Sequence, residues 1–530
     1  LTLKTPIPNF SISSKISISP LPIKVKVHRT GQIITPTDPK YITIYRIDQD
    51  TYVFSFIFYS TLTRLALKSS YQKDKIIVKV EDYQHGPIFK TSCDIFIFEK
   101  KVMSNVNELS VGSQVEIQLS KLLAPELPAP KLKKVVREGP LRRIVHVDTF
   151  GVQCGIATYL ENLMDPMIPL NKEIEHIVFA ESIPPGDTRS SSGKDYKGNQ
   201  PILVRNWTRK HPAERLLKDL AEFNPEILHI QHEWAFFNAT SPILIEIFKS
   251  AKERGTVNIV TWHTVYGRNE TDSRTLSIFF RNVKPLIDMH IVHEKNSYNN
   301  LISFDIEAAK IRLIPMSAYP VKDIPKDEAR RKMLPEKYWK KKILVTGGFL
   351  LPNKGIEKII FAISILNDPE LTLVCIGGSH PWSERVYKDY HHLIQETAKQ
   401  TGVDLYLDYR FMDDEEIAYY MACADINILY YGWTLSGTSG WSRRAIAAKR
   451  PIICTDVRLM SDLQNEVHCL KVPPGDISIL AQSIKRIFED ERLGEILAGN
   501  AAKYAEEISH ENTAKRLLQL YTEVYEECRK

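Results

Sequence analysis

Cysteine is scarce in this 530-residue chain, and what there is stands poorly placed for cross-linking. The seven cysteines (Cys93, Cys154, Cys375, Cys423, Cys454, Cys469 and Cys528) are odd in number, scattered and never spaced CxxC. That pattern argues against a disulfide framework and a zinc finger, and makes a reducing cytoplasm the expected home. On the same grounds the sequons Asn206-Trp207-Thr208, Asn238-Ala239-Thr240 and Asn269-Glu270-Thr271 read as chance. Long apolar runs are also missing. The aromatic-rich stretch Tyr52 to Leu67 is interrupted by Ser55, Thr61 and Arg64, so no bilayer span is expected, and no stretch reads as a signal peptide. An excess of one charge is absent too. Lys+Arg (70) exceeds Asp+Glu (64) by only 6 and the charges are interspersed, without the basic block of a dedicated nucleic-acid binder. Finally, the chain has neither a G-x-x-x-x-G-K-[ST] loop nor a G-x-G-x-x-G fingerprint, which weighs against ATPase and dehydrogenase readings.

What is present is globular: 43% hydrophobic and 25% charged residues, in a chain long enough for about three or four units. The first part alternates with period two, as in Ile23–Val27, Tyr41–Ile47, Tyr52–Tyr59, Lys75–Val80, Asp94–Phe98 and Gln114–Leu119, and predicts a small all-β sandwich over 1–122. Tyr52, Phe54, Phe56 and Phe58 share one face there and read as sandwich core. A Pro-rich, basic linker follows over 123–140. From Leu141 apolar strands alternate with amphipathic helices in two successive runs. This predicts an α/β architecture of two doubly wound, Rossmann-like domains, 141–325 and 326–510, with a C-terminal helix over 511–530. Ligands of such sheets lie beyond the carboxyl ends of the strands, so the cleft between the two domains is the expected site.

Four constellations fall at those strand ends. Gly347-Gly348-Phe349-Leu350-Leu351-Pro352-Asn353-Lys354-Gly355 joins a strand to a helix with an apolar stripe, placing Lys354 where free N–H groups already favour an anion such as a diphosphate. Ser436-Gly437-Thr438-Ser439-Gly440 is a run of small residues able to bring backbone N–H groups close to a ligand, followed by Arg443 and Arg444. Gly151 to Gly155 opens the helix after the first domain's first strand. Gln231-His232-Glu233-Trp234 and Trp262-His263-Thr264 combine amide, imidazole and carboxylate with indole faces, a good set for sugar hydroxyls. As metal ligands they are poorly arranged, because His229 and His232 point to opposite faces of a strand and no third ligand is obvious; no metal is expected.

With these residues placed, the chain from about 142 onward resembles the retaining, nucleotide-sugar-dependent glycosyltransferases of the GT-B fold, family four. The resemblance is nearest to the subgroup with a Q-H-E segment (Gln231-His232-Glu233) and a G-F-[LI]-x-P-x-K-G loop (Gly348 to Gly355). Further matching pieces are Cys154 to Tyr159, Trp262-His263-Thr264-Val265, Ser379-His380-Pro381, Tyr409-Arg410-Phe411-Met412 and Thr438-Ser439-Gly440. The resemblance implies a catalytic set of His263, Lys354 and Glu233. It implies a nucleotide-diphosphate sugar donor held by Gly155, Gly348, Lys354, Arg410, Phe411, Ser436, Gly437, Thr438, Ser439, Gly440 and Arg444, with no required cofactor. An acceptor of unknown identity (glycan, lipid, protein or modified base) would meet Gln231, His232, Trp234 and Trp262. The chain departs from the family where two glutamates usually stand eight positions apart, for Ser436 and Arg444 occupy those positions. The arginine usually paired with the lysine is Phe349, and Arg443 or Arg444 is the candidate substitute. The leading expectation is therefore a retaining glycosyl transfer. A catalytically degenerate sugar- or nucleotide-binding scaffold and a nucleic-acid-modifying transferase are the competing readings.

Overall fold

The computed structural model describes strands within the first 118 residues and then residues 137–529, apart from 153, 184–199, 210–213, 238–241, 269–272, 379–383, 411 and 433–436. The chain divides into two compact units, Leu1–Lys131 and Leu132–Lys530. In the first, β1 (Lys24–Val27), β2 (Ile33–Ile34), β5 (Leu65–Gln72), β6 (Lys75–Asp82) and β7 (Cys93–Ile97) form one antiparallel sheet, ordered β2-β1-β7-β6-β5. A second antiparallel sheet contains β3 (Tyr41–Arg46), β4 (Tyr52–Phe56) and β8 (Gln114–Gln118). The expected sandwich core, including the aromatic face at 52–58, and the Pro-rich linker rest on residues or side chains outside those described.

The second unit holds two parallel sheets, one per lobe. In the first lobe β9 (Arg143–Asp148), β10 (Glu175–Glu181), β11 (Ile202–Trp207), β12 (Ile227–His232), β13 (Val257–Trp262), β14 (Met289–Val292) and β15 (Ile311–Leu313) lie in the order β11-β10-β9-β12-β13-β14-β15. In the second lobe β16 (Lys342–Gly347), β17 (Leu371–Ile376), β18 (Asp404–Asp408), β19 (Ile426–Leu429), β20 (Ile452–Thr455) and β21 (Leu470–Val472) lie in the order β18-β17-β16-β19-β20-β21. The central strands are buried along most of their length, as in Leu371–Ile376 where all six residues are buried, because helices cover both faces. Each order reverses beside the lobe's first strand, between β9 and β12 and between β16 and β19. That reversal opens a crevice at the strands' carboxyl ends. β15 was not anticipated: three residues, Ile311-Arg312-Leu313, are too few to show a period.

The helices supply the complementary faces. Ile356–Leu366 buries Ile356, Ile359, Ile360 and Ile363 against the second sheet, each side chain contributing about 1.5–3 kcal/mol of transfer free energy. It is entered through Gly355 at φ 52° and left through Asn367 at φ 48°, two left-handed residues that bracket it. Asp414–Cys423 begins with a capping box in which Asp413 and Glu416 each satisfy the other's backbone N–H. The last helix, His510–Arg529, returns to the first lobe. Its Leu517, Leu520, Tyr521, Val524 and Tyr525 share a core cluster with Tyr159, Leu160, Leu163 and Met164 of the helix Gly155–Leu170. Among the described residues no helix is long and apolar enough to cross a membrane.

Candidate functional site

A cavity of about 560 Å³ lies between the lobes at the crevice just described. Its first-lobe wall is Val152, Cys154, Gly155, Thr158 and Glu161; the second lobe contributes Gly348, Phe349, Lys354, Gly377, the Met412–Glu415 segment, Tyr431, Ser439, Gly440 and Arg444 among others.

Lys354 stands at the end of a 3-10 turn, Pro352–Lys354, directly before the left-handed Gly355. Its ammonium donates to the Tyr431 hydroxyl at 2.7 Å and lies 4.1 Å from the centre of that ring. Tyr431 is fixed in turn by a 2.8 Å bond between its hydroxyl and Ser439 Oγ. Among the described residues Lys354 forms no ion pair, so its charge faces the cavity uncompensated. Gly348, at φ 104°, leaves room for it: a β-carbon there would lie 3.1 Å from Lys354 Nζ. Across the cleft, the sixteen-residue helix Gly155–Leu170 begins at Gly155 without a side-chain cap from Cys154. A β-carbon on Gly155 would meet nothing within 4 Å, so the fold itself does not require a glycine at that position.

Part of the cavity wall is acidic. Asp413, Asp414 and Glu415 line it, and Asp414 is paired with Arg444, whose guanidinium also donates to Gly440 O and stacks 4.1 Å over Tyr319. Arg444 and Asp414 also line a second cavity of about 570 Å³, whose other walls include the lobe-crossing segments Tyr319–Ile324 and Ser509–Glu511. Arg443, by contrast, points away: it is 1% exposed and paired with Asp462 at 2.6 Å. Of the two candidate arginines, Arg444 and not Arg443 lines the cavity.

His263 is buried near the second lobe's small-residue loop. A β-carbon on Gly437 would come within 3.1 Å of the His263 carbonyl oxygen. The His263 ring bonds Gln231 Oε1 through Nε2 at 3.0 Å and meets Tyr159 and His293 edge-on or tilted. Burial, reinforced by His293, His232 and His229, holds its pKa well below the ordinary histidine range, so the ring is neutral. Glu233 is fully engaged by local bonds, Oε1 from the Trp234 N–H (2.9 Å) and Oε2 from the Thr264 hydroxyl (3.0 Å); burial raises its pKa. His232, Trp234 and Trp262 are interior residues of the first lobe, packed with Phe279 in an aromatic cluster. None of Gln231, His232, Glu233, Trp234 or Trp262 lines the cavity. Arg410 is exposed and paired with Asp408 and Glu416 beside the Met412 end, while Phe411 and Ser436 lie outside the described residues. Among the described residues no three His, Cys, Asp or Glu side chains converge to hold a metal ion.

Several residues at the site were not anticipated. Glu294, directly after β14, caps the next helix and pairs with Arg458 of the second lobe at 2.9 Å, with both side chains under a tenth exposed. Its signal was available: His293-Glu294 follows an apolar strand just as Gln231-His232-Glu233 does. Asp414 and Glu161 gave no signal, since each reads as an ordinary polar helix position.

Residues 340–490 match glycosyl transferases group 1. No curated protein sequence is a significant match. Among solved structures, the Anabaena HepE protein in complex with UDP is similar over 72% of this chain and all of its own, at 15% identity and a TM-score of 0.56. Sucrose-phosphate synthase from Thermosynechococcus elongatus is similar over 73% and 100%, at 18% identity and 0.56. An α,α-trehalose-phosphate synthase from Burkholderia xenovorans, in complex with glucose-6-phosphate, is similar over 71% and 99%, at 12% and 0.53. At such identities the likeness is one of fold, the two-lobed GT-B arrangement of parallel sheets.

Proposed function

We propose that this chain transfers a sugar from a nucleoside-diphosphate sugar to a hydroxyl acceptor, with retention at the anomeric carbon and without a metal. The observation that carries the reading is Lys354: a cation in the cleft between two doubly wound lobes, oriented by Tyr431, unpaired with carboxylate among the described residues, and facing an uncapped helix N-terminus at Gly155. The group 1 match over 340–490 supports it, and so does the UDP complex of a protein with this fold. Lys354 and the Gly155 helix dipole carry the charge that develops on the departing diphosphate, which is preorganised electrostatic stabilisation. Gly348 and the Gly437–Gly440 segment hold the phosphates and the donor sugar through their backbones. The acidic wall at Asp413–Glu415 suits ribose hydroxyls, not phosphate.

Retention follows from departure and attack on one face. The bond from the anomeric carbon to the phosphate oxygen breaks, that oxygen takes the acceptor's hydroxyl proton, and the acceptor oxygen bonds the carbon. Neutral His263 orients the donor sugar as a hydrogen-bonding group; Gln231, Tyr159 and His293 fix its ring. Glu233, with both oxygens occupied, acts through that scaffold.

The test is calorimetric binding of UDP and UDP-glucose to wild type and Lys354→Ala, with and without magnesium. Binding that is independent of magnesium and about tenfold to a hundredfold weaker in the variant is expected for loss of a charge-assisted contact. Absence of binding by the wild type to either ligand would overturn the reading.

A further inference from the structure

Three buried polar atoms in one strand–loop–helix of the first lobe lack a hydrogen-bond partner among the described residues: Asp148 Oδ2, the Tyr159 hydroxyl and Glu161 Oε2. Buried polar groups in folded proteins are almost always satisfied, by protein, water or ligand. Glu161 is the decisive one. Its side chain is fully buried from bulk solvent, yet it lines the interlobe cavity together with Gly155 and Thr158, at i, i+3 and i+6 of the same helix. The Gly151 N–H donates to its Oε1 at 2.7 Å, which fixes the carboxylate plane and leaves Oε2 unused. Arg205, whose guanidinium lies against Gly151, gives a nearby countercharge without occupying that oxygen.

We propose that Glu161 is a specificity-determining residue of this cleft, its Oε2 accepting a hydroxyl of a neutral polyol acceptor, with Tyr159 and Asp148 as the polar floor behind it. The proposal rests on the transferase reading of the same cleft and adds the acceptor's chemical class. A carboxylate oxygen held in a low-dielectric wall is a strong acceptor for O–H, and it disfavours a phosphate or carboxylate group at the same place. The floor supplies the opposite polarity. Burial, and secondarily the Glu161 charge, raise the Asp148 carboxyl to about 8, so it retains a proton near neutral pH. Tyr159 keeps its proton as well, its pKa raised by burial. A hydroxyl, which both donates and accepts, matches such a pair of faces. An ordered water satisfying all three atoms is the competing occupant.

The test uses the full chain as wild type, Glu161→Gln and Tyr159→Phe. UDP affinity is measured first by calorimetry. Glucose, mannose, galactose, myo-inositol and glucose-6-phosphate are then titrated, with and without UDP, and followed by saturation-transfer NMR. Glu161→Gln keeps the shape and an acceptor for Gly151, so UDP affinity and melting temperature should hold while binding of the preferred neutral polyol falls about tenfold or more, as expected when a built hydrogen-bonding contact is mismatched. Tyr159→Phe should weaken the polyol without lowering the melting temperature; it carries the test alone if Glu161→Gln does not fold. Unchanged polyol binding in the variants, or UDP binding without any neutral polyol binding in the wild type, would show that the pocket holds only water and sink the proposal. Preference for glucose-6-phosphate would do the same. Should the wild type bind a polyol but no UDP, the donor reading fails and the acceptor role with it, while the polyol contact at Glu161 stands.

Discussion

Two glycines at the cleft answer to different masters, and substitution separates them. Gly377, at φ 135°, packs against the neighbouring loop so closely that a β-carbon would sit 1.9 Å from the Gly348 carbonyl oxygen. Gly377→Ala should therefore cost about 3 kcal/mol or more and lower the melting temperature markedly. Gly155 has open space around it, and as the first residue of a helix it gains up to about 1 kcal/mol of helix propensity on becoming alanine. Gly155→Ala should hold or raise the melting temperature while weakening UDP, because its methyl group occupies the approach to the helix N-terminus. Thermal unfolding and UDP titration of both variants check the contrast. Equal UDP affinity in Gly155→Ala would remove that residue from the donor site. The chemistry of Lys354 was legible one residue at a time, from a cation set at a strand-to-helix junction. Its orientation was not: Tyr431 and Ser439, which aim it, are 77 and 85 positions further on and are brought to it only by the order of β16 and β19 in the sheet.

At the level of elements, the C-terminal helix is bound to the first lobe by apolar packing, by a bond from the Tyr525 hydroxyl to the Gly139 carbonyl, and by a buried polar junction. His229, on the sheet face away from the aromatic cluster, shares hydrogen bonds with the Tyr521 hydroxyl (2.7 Å) and Thr261 Oγ1 (2.8 Å), all buried. Tyr521→Phe leaves His229 Nδ1 unpaired in the core, which should cost about 1–3 kcal/mol and lower the melting temperature by several degrees. An unchanged melting temperature would mean that the bond contributes nothing net. The alternating hydrophobic pattern had shown which stretches are strands and which are helices. What it could not show is the role of Gln231, His232, Trp234 and Trp262. Imidazole and indole side chains are amphipathic, and the same residues serve a ligand wall or a packed interior equally well in one dimension. Here helices covering the sheet close over His232 and both indoles, and Trp262 Nε1 is satisfied internally by His290 Nδ1 at 3.0 Å.

For the whole molecule, the lobes are joined across the cleft by Arg458, which donates to Glu294, to the Val265 carbonyl (2.7 Å) and to Ser297 Oγ (3.0 Å). Arg458→Ala leaves a buried Glu294 carboxylate without its cation and should destabilise the chain by about 3 kcal/mol or more. Scattering of the unliganded variant should show a more open pair of lobes; an unchanged profile would assign the pair to local stability alone. The pH response is also a property of the whole. Burial holds His176 and His293 at about 4, and His229, His232 and His290 at about 3. Above the unfolded value of about 6.5 these rings are neutral in both states and add no slope. As pH falls from there toward 4, the unfolded chain takes up protons that the folded chain refuses, so stability is lost. Asp148 works in the other direction: protonated in the fold up to about 8 and ionised in the unfolded chain above its ordinary value, it removes stability as pH rises from 4 to 8. Together these groups place the stability maximum near pH 7, where the first protons taken up by five unfolded rings balance the one carboxyl, with the steeper side acidic. Denaturant unfolding across pH 4 to 9 checks it, and a flat profile below 6.5 would contradict the burial of the histidines.

By itself the sequence determined the two α/β lobes and the cleft with Lys354 and Gly155 in it, since hydrophobic period and glycine or lysine placement at strand ends are local properties that survive in one dimension. Only the tertiary structure decided which polar residues face that cleft. Glu161, Asp414 and Tyr431 line it because the switch in strand order brings their separate elements together. His232, Trp234 and Trp262 pack inside the first lobe, because a side chain's exposure depends on what folds over it from far along the chain.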